Sequence, residues 1–265
     1  TVSPGTIDKY VRPAIEENGF VIGKDINLVH APERIIPGNM VYELLHNNRT
    51  IGADDKLIGE KVKELYASFC QGDIVVTDIR TAEMTKVVEN TFRAVNIAFA
   101  NELAKICRHD DMDVYEIINI CNMHPRVNIL QPGPGVGGHC ISVDPWFLVG
   151  DYPGLTKVIN ESMKVNDSMP DFVLERIHDI MKEHNITDFS RVGLYGLTYK
   201  ENVDDFIESK AESFEGLASE NAKYFLYTFF KIASGACNNY MTVFTKELSN
   251  GTNVRVASLA LNRNL

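Results

Sequence analysis

Three features of the sequence predict an α/β fold with a helical middle part. Strand-like and helix-like segments alternate up to residue 78, an order typical of the later part of a doubly wound α/β domain. Residues 80–107 contain neither glycine nor proline and place apolar residues at helical spacing. The segment RVGLYGL, residues 191–197, has the composition of a short buried strand and indicates a second α/β unit.

Apolar spacing and turn residues define the elements of the first part, residues 1–78. We expect a helix at 4–18 with a kink at Pro13, a strand at 26–30, a helix at 39–48, a helix at 54–69 with Asp55 near its start, and a buried strand at 73–77.

One long helix dominates the second part, residues 79–186. A helix over 80–107 would measure about 42 Å at about 1.5 Å per residue, which is more than one small core covers. Helices of this length bridge domains or form subunit interfaces. Further helices are expected at 113–121 and, as one or two segments, at 154–183, with a glycine-rich loop at 122–140.

The third part, residues 187–265, begins as a Rossmann-like unit and is atypical after residue 205. Aromatic stretches such as YFLYTFF and polar turns such as LSNGTN follow there without regular alternation of strands and helices.

The composition argues against several classes of function. No apolar run is long enough to cross a bilayer. The formal net charge is −10, and the chain has no cluster of Lys or Arg, which argues against nucleic acid as the main ligand. The five cysteines lack paired spacing, as in reduced proteins. We therefore expect a cytoplasmic protein that binds neither nucleic acid nor membranes.

The segment PGPGVGGHCISVDPW is the first candidate for chemistry. Its glycines allow the backbone close to a ligand, so that Cys140 is presented to a substrate. A thiolate attacks aldehyde or acyl carbon, and His139, Asp144 and the upstream His124 are groups that could activate it. The alternatives are a buried structural cysteine and a zinc ligand. Zinc is disfavoured because His139 and Cys140 are adjacent and no second thiol follows at ligand spacing.

A polar stripe on the long helix is the second candidate. Lys86, Asn90 and Arg93 follow one another at i, i+4 and i+7 and therefore share a face. A lysine and an amide can stabilise an oxyanion and move a proton beside a nucleophilic cysteine. The alternative is a solvated face on which Lys86 pairs with Glu83 or Glu89.

Two strand ends carry further candidates. The segment APERIIPGN places Glu33 and Arg34 after the first predicted strand, at the edge where ligands bind in open α/β sheets. A surface turn is the alternative there. Lys200 has the corresponding position after RVGLYGL and could contact a ligand there. The alternative is that Lys200 is an exposed loop lysine.

These motifs resemble one family over about residues 1–208. GGHC followed by DPWFL, the PER segment, AEMTKVVENTFRAVNIAFANEL and GLTYKENVDD stand in the order found in the UDP-glucose/GDP-mannose dehydrogenases. The resemblance implies an NAD-dependent enzyme that oxidises the C6 alcohol of a nucleotide sugar to a carboxylate. It also implies that 1–78 belongs to an NAD-binding domain and 187–265 to a nucleotide-sugar-binding domain.

The resemblance is strongest to the N-acetylhexosamine branch of the family. His before the cysteine, Trp after DP and the form PERIIPGN carry it. The expected substrate is UDP-N-acetyl-D-mannosamine, with UDP-N-acetylglucosamine as the alternative, because residue types do not read a single stereocentre.

The resemblance also assigns catalytic roles. In the family a cysteine thiolate traps the aldehyde from the first oxidation as a thiohemiacetal, and a second oxidation gives a thioester that water hydrolyses. Cys140 matches that cysteine. Lys86 is similar to the family's proton donor and acceptor, Asn90 to the residue that holds the water or a sugar oxygen, and Asp144 to the carboxylate behind the cysteine.

Binding residues are implied on several segments. Substrate contacts are expected from Lys86, Asn90, Arg34, Ile35, Arg93, His124, Arg126, Gly137 and Lys200, and cofactor contacts from Thr1 and Glu33. The family's counterpart of Arg126 often reaches a neighbouring subunit's site. A homodimer or higher homo-oligomer built on the long helix is therefore expected.

Two departures from the family pattern define an alternative function. The family's glycine-rich turn for the NAD pyrophosphate would precede Thr1, so that these residues alone are not expected to bind NAD as the family does. After Asp205 the family continues with Thr-Arg-Glu-Ser-Pro, whereas this chain has Phe-Ile-Glu-Ser-Lys. The alternative is a catalytically silent module for dimerisation and nucleotide-sugar binding.

Overall fold

The computed structural model describes residues 1–35, 39–138 and 140–187, together with the backbone of three strands beyond them. The helices are α1 (Arg12–Glu17), α2 (Met40–His46), α3 (Lys56–Ala67), α4 (Ile79–His109), α5 (Val114–Cys121), α6 (Asp144–Asp151), α7 (Lys157–Asp167) and α8 (Met169–Glu183), and a π-helical turn, Ile7–Val11, precedes α1. The strands are β1 (Val29–His30), β2 (Arg49–Ala53), β3 (Ile74–Thr77), β4 (Val192–Gly193), β5 (Met241–Glu247) and β6 (Asn253–Leu259).

Two compact units divide the chain. The first comprises Thr1–Arg93 and Cys140–Asn160, and the second comprises Ala94–His139 and Glu161–Leu265. The boundaries predicted from sequence, 1–78, 79–186 and 187–265, stay a prediction.

The first unit contains a three-stranded sheet in the order β1-β2-β3. β2 and β3 are parallel, with Arg49 opposite Ile74, and α3 connects them as the helix of a crossover. β1 is an antiparallel edge strand of two residues, where a strand over 26–30 was predicted. The α/β fold class is confirmed, and Asp55 caps α3 by accepting the N–H of Leu57 at 2.8 Å.

The central strand β2 was not predicted from the sequence. All five of its residues are buried, although it begins with Arg49 and Thr50. Arg49 donates to the Glu33 carboxylate at 2.6 Å and to the carbonyl of Leu44 at 2.9 Å. Burial lowers the pKa of Arg49, but its hydrogen bonds to Glu33 and Cys70 outweigh that effect, so the pKa is raised overall. These acceptors replace part of the water that the buried guanidinium has lost.

Gly52 brings the start of α4 close to β2. A Cβ on Gly52 would lie 2.7 Å from both the Cα of Ile79 and the Cβ of Ala82. Such contacts are not tolerated, so that the absence of a side chain permits this approach. Asp78 then caps α4 by accepting the Thr81 N–H at 2.8 Å. The long helix extends two residues beyond the predicted 80–107 at its C-terminal end and one at its start.

Asparagine side chains in the second unit hold part of the predicted glycine-rich loop. Asn96 on α4 donates to the carbonyl of Asn128 at 2.7 Å and accepts the N–H of Leu130 at 2.9 Å. Asn122, after α5, bonds both the N–H and the carbonyl of Ile129, at 2.7 and 2.9 Å. The loop backbone is therefore paired on both edges without a neighbouring strand.

A buried amide pair continues this arrangement, which we call the asparagine scaffold (Asn96, Asn101, Asn122 and Asn166). Asn101 is fully buried, accepts the N–H of Gly133 at 2.8 Å and donates to Asn166 at 2.9 Å. Asn166 in turn donates to the carbonyl of Ala94 at 2.9 Å. Each contact satisfies a polar group that burial would otherwise leave without a partner.

The remaining elements complete the comparison with the predicted fold. The predicted segment 154–183 forms two helices, α7 and α8, whereas α6 was missed. The strand predicted at 191–197 is described only at Val192–Gly193. β5 and β6 form an antiparallel pair in a second sheet of order β4-β6-β5, where no regular element was predicted. None of the described helices is long and apolar enough to span a membrane.

Candidate active site

A buried hydrogen bond joins two of the predicted catalytic side chains. Asn90 on α4 and Asp144 at the start of α6 are 7% and 2% exposed. The Asn90 amide donates to Asp144 Oδ2 at 2.6 Å. A carboxylate at this depth requires such a donor because burial without a partner is costly. The contact holds α4 against the beginning of α6.

Cys140 belongs to the turn that leads into α6. Its carbonyl accepts the N–H of Asp144 at 2.8 Å and the N–H of Val143 at 3.1 Å. The residue is exposed. The buried-cysteine alternative is therefore wrong for Cys140, and its backbone is anchored directly to the residue that pairs with Asn90.

Lys86 and Arg93 share the face of α4 that carries Asn90. Both are partly buried, one turn before and one turn after the buried amide. The two glutamates considered as surface partners of Lys86 are bonded elsewhere. Glu83 accepts backbone N–H groups of Gly5 and Ile7, and Glu89 pairs with Arg34.

Arg34 is held by a network within the first unit. Its Nε donates to both oxygens of Glu89, at 2.8 and 2.9 Å, Nη1 donates to the carbonyl of Asn48 at 2.8 Å, and Nη2 to the hydroxyl of Thr50 at 3.1 Å. Glu33 accepts the N–H of Arg34 at 2.7 Å, besides its pair with Arg49. The segment PER is thus fixed to both β2 and α4.

The other predicted site residues lie in several parts of the chain. Thr1 is exposed and Ile35 is partly buried, both in the first unit. His124, Arg126 and Gly137 belong to the second unit, where the His124 Nδ1 accepts the N–H of Arg126 at 3.3 Å. Lys200 lies outside the described residues, as does His139.

Glu83, which the sequence offered only as one possible surface partner of Lys86, is buried instead. It is 1% exposed, and its two oxygens accept N–H groups from Gly5 at 2.6 Å and Ile7 at 2.8 Å. The spacing from Lys86 suggested a surface pair. One sequence signal was available, because the face of α4 that carries Glu83 also carries the apolar Val87 and Ala94.

Zinc was considered as an alternative role for the Cys140 segment. Across the part of the chain that the structure describes, no three His, Cys, Asp or Glu residues come close enough together to hold a metal ion. Asp144 accepts a hydrogen bond from the Asn90 amide nitrogen, which is a donor and not a metal ligand.

Comparison with known proteins matches two models of one family. The NAD-binding domain model of the UDP-glucose/GDP-mannose dehydrogenase family matches residues 1–70, and the central domain model of the same family matches residues 80–168. Together these matches cover more than half of the chain.

Individual relatives agree with the family models. A UDP-N-acetyl-D-mannosamine dehydrogenase of Methanocaldococcus jannaschii is 48% identical over 212 residues, which are 80% of this chain and 47% of that protein. An NDP-N-acetyl-D-galactosaminuronic acid dehydrogenase of Ralstonia nicotianae is 48% identical over 187 residues, 71% of this chain and 44% of that protein. The structure of a UDP-N-acetyl-mannosamine dehydrogenase from Staphylococcus aureus is 49% identical, with a TM-score of 0.72, and the match covers 82% of this chain and 51% of that one.

The chain spans about half the length of the curated relatives that it matches. Within that span, the family models place an NAD-binding domain before a central domain, and a solved structure has the same fold. The chain belongs to the UDP-glucose/GDP-mannose dehydrogenase family.

Proposed function

We propose that this chain is part of an NAD-dependent dehydrogenase that oxidises the C6 alcohol of UDP-N-acetyl-D-mannosamine to the carboxylate, with Cys140 as the nucleophile. The single observation that supports the site best is the buried bond between Asn90 and Asp144, because it joins the helix that carries Lys86 to the turn that carries Cys140. Family membership supports the reaction class.

The residues fit the proposed cofactor on its nicotinamide side. Gly5 has φ of +90°, and no atom lies within 4 Å of the position that a Cβ would take, which leaves open space beside the exposed Thr1 segment. Thr1 and Glu33 would hold ribose hydroxyls. When bound, NAD supplies the hydride acceptor for both oxidations.

The chain's own groups have separate tasks. Lys86 takes the proton of the C6 hydroxyl as the hydride leaves, which gives an aldehyde. The Cys140 thiolate then adds to the aldehyde carbon, and Lys86 and Asn90 stabilise the oxyanion that forms. Loss of a second hydride leaves a thioester on Cys140.

Hydrolysis completes the reaction. Water adds to the thioester, and the carbon–sulfur bond breaks to release the carboxylate and the thiolate. In sum, one alcohol, one water and two NAD⁺ give one carboxylate, two NADH and three protons.

Asp144 acts through its neighbours in this scheme. Its carboxylate orients the Asn90 amide, and its backbone N–H holds the carbonyl of Cys140. Arg93, Arg34, Ile35, His124, Arg126, Gly137 and Lys200 are proposed contacts of the UDP-sugar. The hydrogen bonds from the Arg34 guanidinium to three residues, Glu89, Asn48 and Thr50, would give it a fixed orientation toward such a ligand.

The sugar is the finer part of the proposal. Relatives of similar identity bear the names of an N-acetylmannosamine and an N-acetylgalactosaminuronic acid dehydrogenase. An N-acetylhexosamine attached to a nucleoside diphosphate is common to both. UDP-N-acetylglucosamine is the alternative substrate, and a panel of UDP-N-acetylhexosamines compared by kcat/KM decides among them.

The test of the chemistry compares natural full-length protein with its Cys140→Ser variant. Wild type is expected to form two NADH for each UDP-N-acetyl-D-mannosamine consumed. The variant is expected to lose at least about 10³-fold in carboxylate formation, because serine at this position lacks the thiolate. Carboxylate formation at the wild-type rate in the variant would remove Cys140 from the mechanism. Cys121→Ser, also an exposed cysteine, is the matched control.

A catalytically silent module is the competing function. Within the segment matched by the NAD-binding model, the described residues include no glycine-rich turn between a strand and a following helix that would hold the pyrophosphate. Calorimetry on the 265 residues with NAD and with the UDP-sugar separates the two functions. Binding of the sugar without NAD, in the full-length protein as well, would favour the module.

A homodimer is the proposed assembly, in the cytoplasm. An apolar stripe on α4 supports it: Val88, Phe92, Phe99 and Ile106 recur on one face and are 46%, 65%, 49% and 53% exposed. A second copy of the same helix would cover this stripe by two-fold pairing. Sedimentation of Phe99→Glu is expected to give monomers where wild type gives dimers, and unchanged sedimentation would reject the stripe as the interface.

A further inference from the structure

Glu83 is a buried charge with two backbone partners. It is 1% exposed, and one oxygen accepts the N–H of Gly5 at 2.6 Å while the other accepts the N–H of Ile7 at 2.8 Å. Both N–H groups lie where the π-helical turn begins, so that no preceding carbonyl of that helix can accept them. A carboxylate at a helix start also interacts favourably with its dipole. Glu83 thus fixes this turn to α4.

The segment that Glu83 holds is itself a compact turn. The Thr6 N–H and hydroxyl both bond the carbonyl of Ser3, at 3.0 and 2.6 Å, and Gly5 has the positive φ that the turn requires. The Ser3 hydroxyl donates to the carboxylate of Asp151 at the end of α6. We call residues 1–7 the N-terminal turn. It is tied to α4 through Glu83 and to α6 through Asp151.

These ties coincide with the elements of the candidate site. Glu83 precedes Lys86 by three residues and Asn90 by seven, so that all three lie along one side of α4. The bond between Asn90 and Asp144 joins α4 to α6. Three polar links therefore connect the N-terminal turn, α4 and α6 pairwise.

We propose that Glu83 is a positioning residue that sets the N-terminal turn, and with it the nicotinamide side of the NAD site, relative to Lys86 and Asn90. This inference rests on the proposed function, because it takes Thr1 as a cofactor contact. Hydride transfer requires donor and acceptor carbons in a narrow range of distance and angle. The Glu83 side chain on α4 accepts two backbone N–H groups of the N-terminal turn, and these bonds provide that constraint.

The geometry specifies which replacements discriminate. Glu83→Gln keeps the length but leaves one acceptor oxygen, and its amide N–H group then faces a backbone N–H. Glu83→Asp keeps the charge but is one methylene shorter, so that it cannot reach both N–H groups. Ile118→Val, in the core of the second unit, is the control for lost stability without a change at the N-terminal turn.

The experiment uses natural full-length protein and two measurements that do not depend on turnover. Hydrogen exchange of residues 1–11 is expected to speed up at least about 10-fold in E83Q, and the Kd for NAD from calorimetry to rise about 10-fold, as for a lost hydrogen bond to a charged group. In steady-state kinetics, KM for NAD is expected to rise with a KM for the UDP-sugar within about 2-fold of wild type. For exchange and for NAD affinity, E83D should lie between wild type and E83Q. I118V should change neither exchange nor NAD binding.

Two results overturn the proposal. One is wild-type exchange of residues 1–11 together with wild-type NAD affinity in E83Q, or in E83D where E83Q fails to fold. The other is a loss of thermal stability like that of I118V with no change in NAD binding, which would make Glu83 merely structural. If wild type binds NAD but oxidises no UDP-sugar, the proposed function fails, while exchange and calorimetry still decide the role of Glu83.

Discussion

The candidate site and the asparagine scaffold solve the same physical problem in different ways. Both bury polar side chains on α4, and both give each buried group a hydrogen-bond partner. In the first unit each of these hydrogen bonds involves a carboxylate: Asp144 accepts from Asn90, and Glu83 accepts from backbone N–H groups. In the second unit they are neutral amides that bind loop backbone.

The difference indicates what each region is for. A buried carboxylate costs more free energy than a buried amide, so that a protein retains one where its charge is used. Neutral amides that bond the N–H and carbonyl of a loop replace the partners of a missing strand. We therefore expect substitutions in the first region to change catalysis and substitutions in the second to change mainly stability.

Among the substitutions that test this comparison, the largest effect is expected from Asn90→Ala. It removes the donor to Asp144 and the amide proposed to stabilise the oxyanion, and kcat is expected to fall about 10²–10³-fold. Stopped-flow NADH formation with saturating UDP-sugar measures it. Asn90→Asp, which sets a second carboxylate against Asp144, should be at least as damaging. An unchanged kcat in Asn90→Ala would break the distinction between the two regions.

Asn101→Ala is the counterpart in the scaffold. It leaves the N–H of Gly133 and the side-chain oxygen of Asn166 without their partner, and the free energy of unfolding is expected to fall by about 3 kcal/mol. Urea unfolding measures the loss, and kcat per folded molecule should stay within about 10-fold of wild type. Asn119→Ala, an exposed asparagine on α5, is the control. A loss of kcat as large as that of Asn90→Ala would show that the two regions do not differ in function.

The smallest effect is expected from Asp78→Ala at the start of α4, the helix common to both regions. Loss of the cap to Thr81 should cost about 1 kcal/mol of unfolding free energy at pH 7. Hydrogen bonds from the Thr81 side chain and backbone lower the pKa of Asp78 below its ordinary value of 3.8.

That direction of the shift fixes the pH dependence. A carboxyl with a lowered folded-state pKa contributes stability above its unfolded value of 3.8, and loses it as the pH falls through the folded value. The difference in unfolding free energy between wild type and Asp78→Ala should therefore be constant from about pH 5 to about pH 8. It should shrink below pH 3.8. Urea unfolding across pH checks it, and a difference that grows toward acid would contradict this role of Asp78.

Local patterns sufficed for much of the fold because they reflect local interactions. The period of apolar residues over 80–107 predicted α4, and the positions of α3, α5 and β3 followed from spacing with their flanking turns. Cys140 was singled out by the glycines before it, and the stripe of Lys86, Asn90 and Arg93 by helical geometry alone.

Other features could not be read from such patterns. β2 was missed because it begins with arginine and threonine and contains Gly52, a poor strand residue that the approach of α4 requires. The helix α6 was missed because DPWFLVGD is short and lies between glycines, and its start depends on Asp144 with the carbonyl of Cys140.

The sequence by itself determined the fold class, the long helix and the residue types of the candidate site, since periodicity, glycine placement and motif order are properties of neighbouring residues. Only the tertiary structure decided which polar side chains meet: Asn90 with Asp144, the partly exposed Glu89 with Arg34, and Glu83 with the N-terminal turn. These partners lie 54 to 78 residues apart in the chain. Burial makes the bonds of Asp144 and Glu83 necessary, but sequence distance hides which groups meet, because packing of the whole unit chooses the partner.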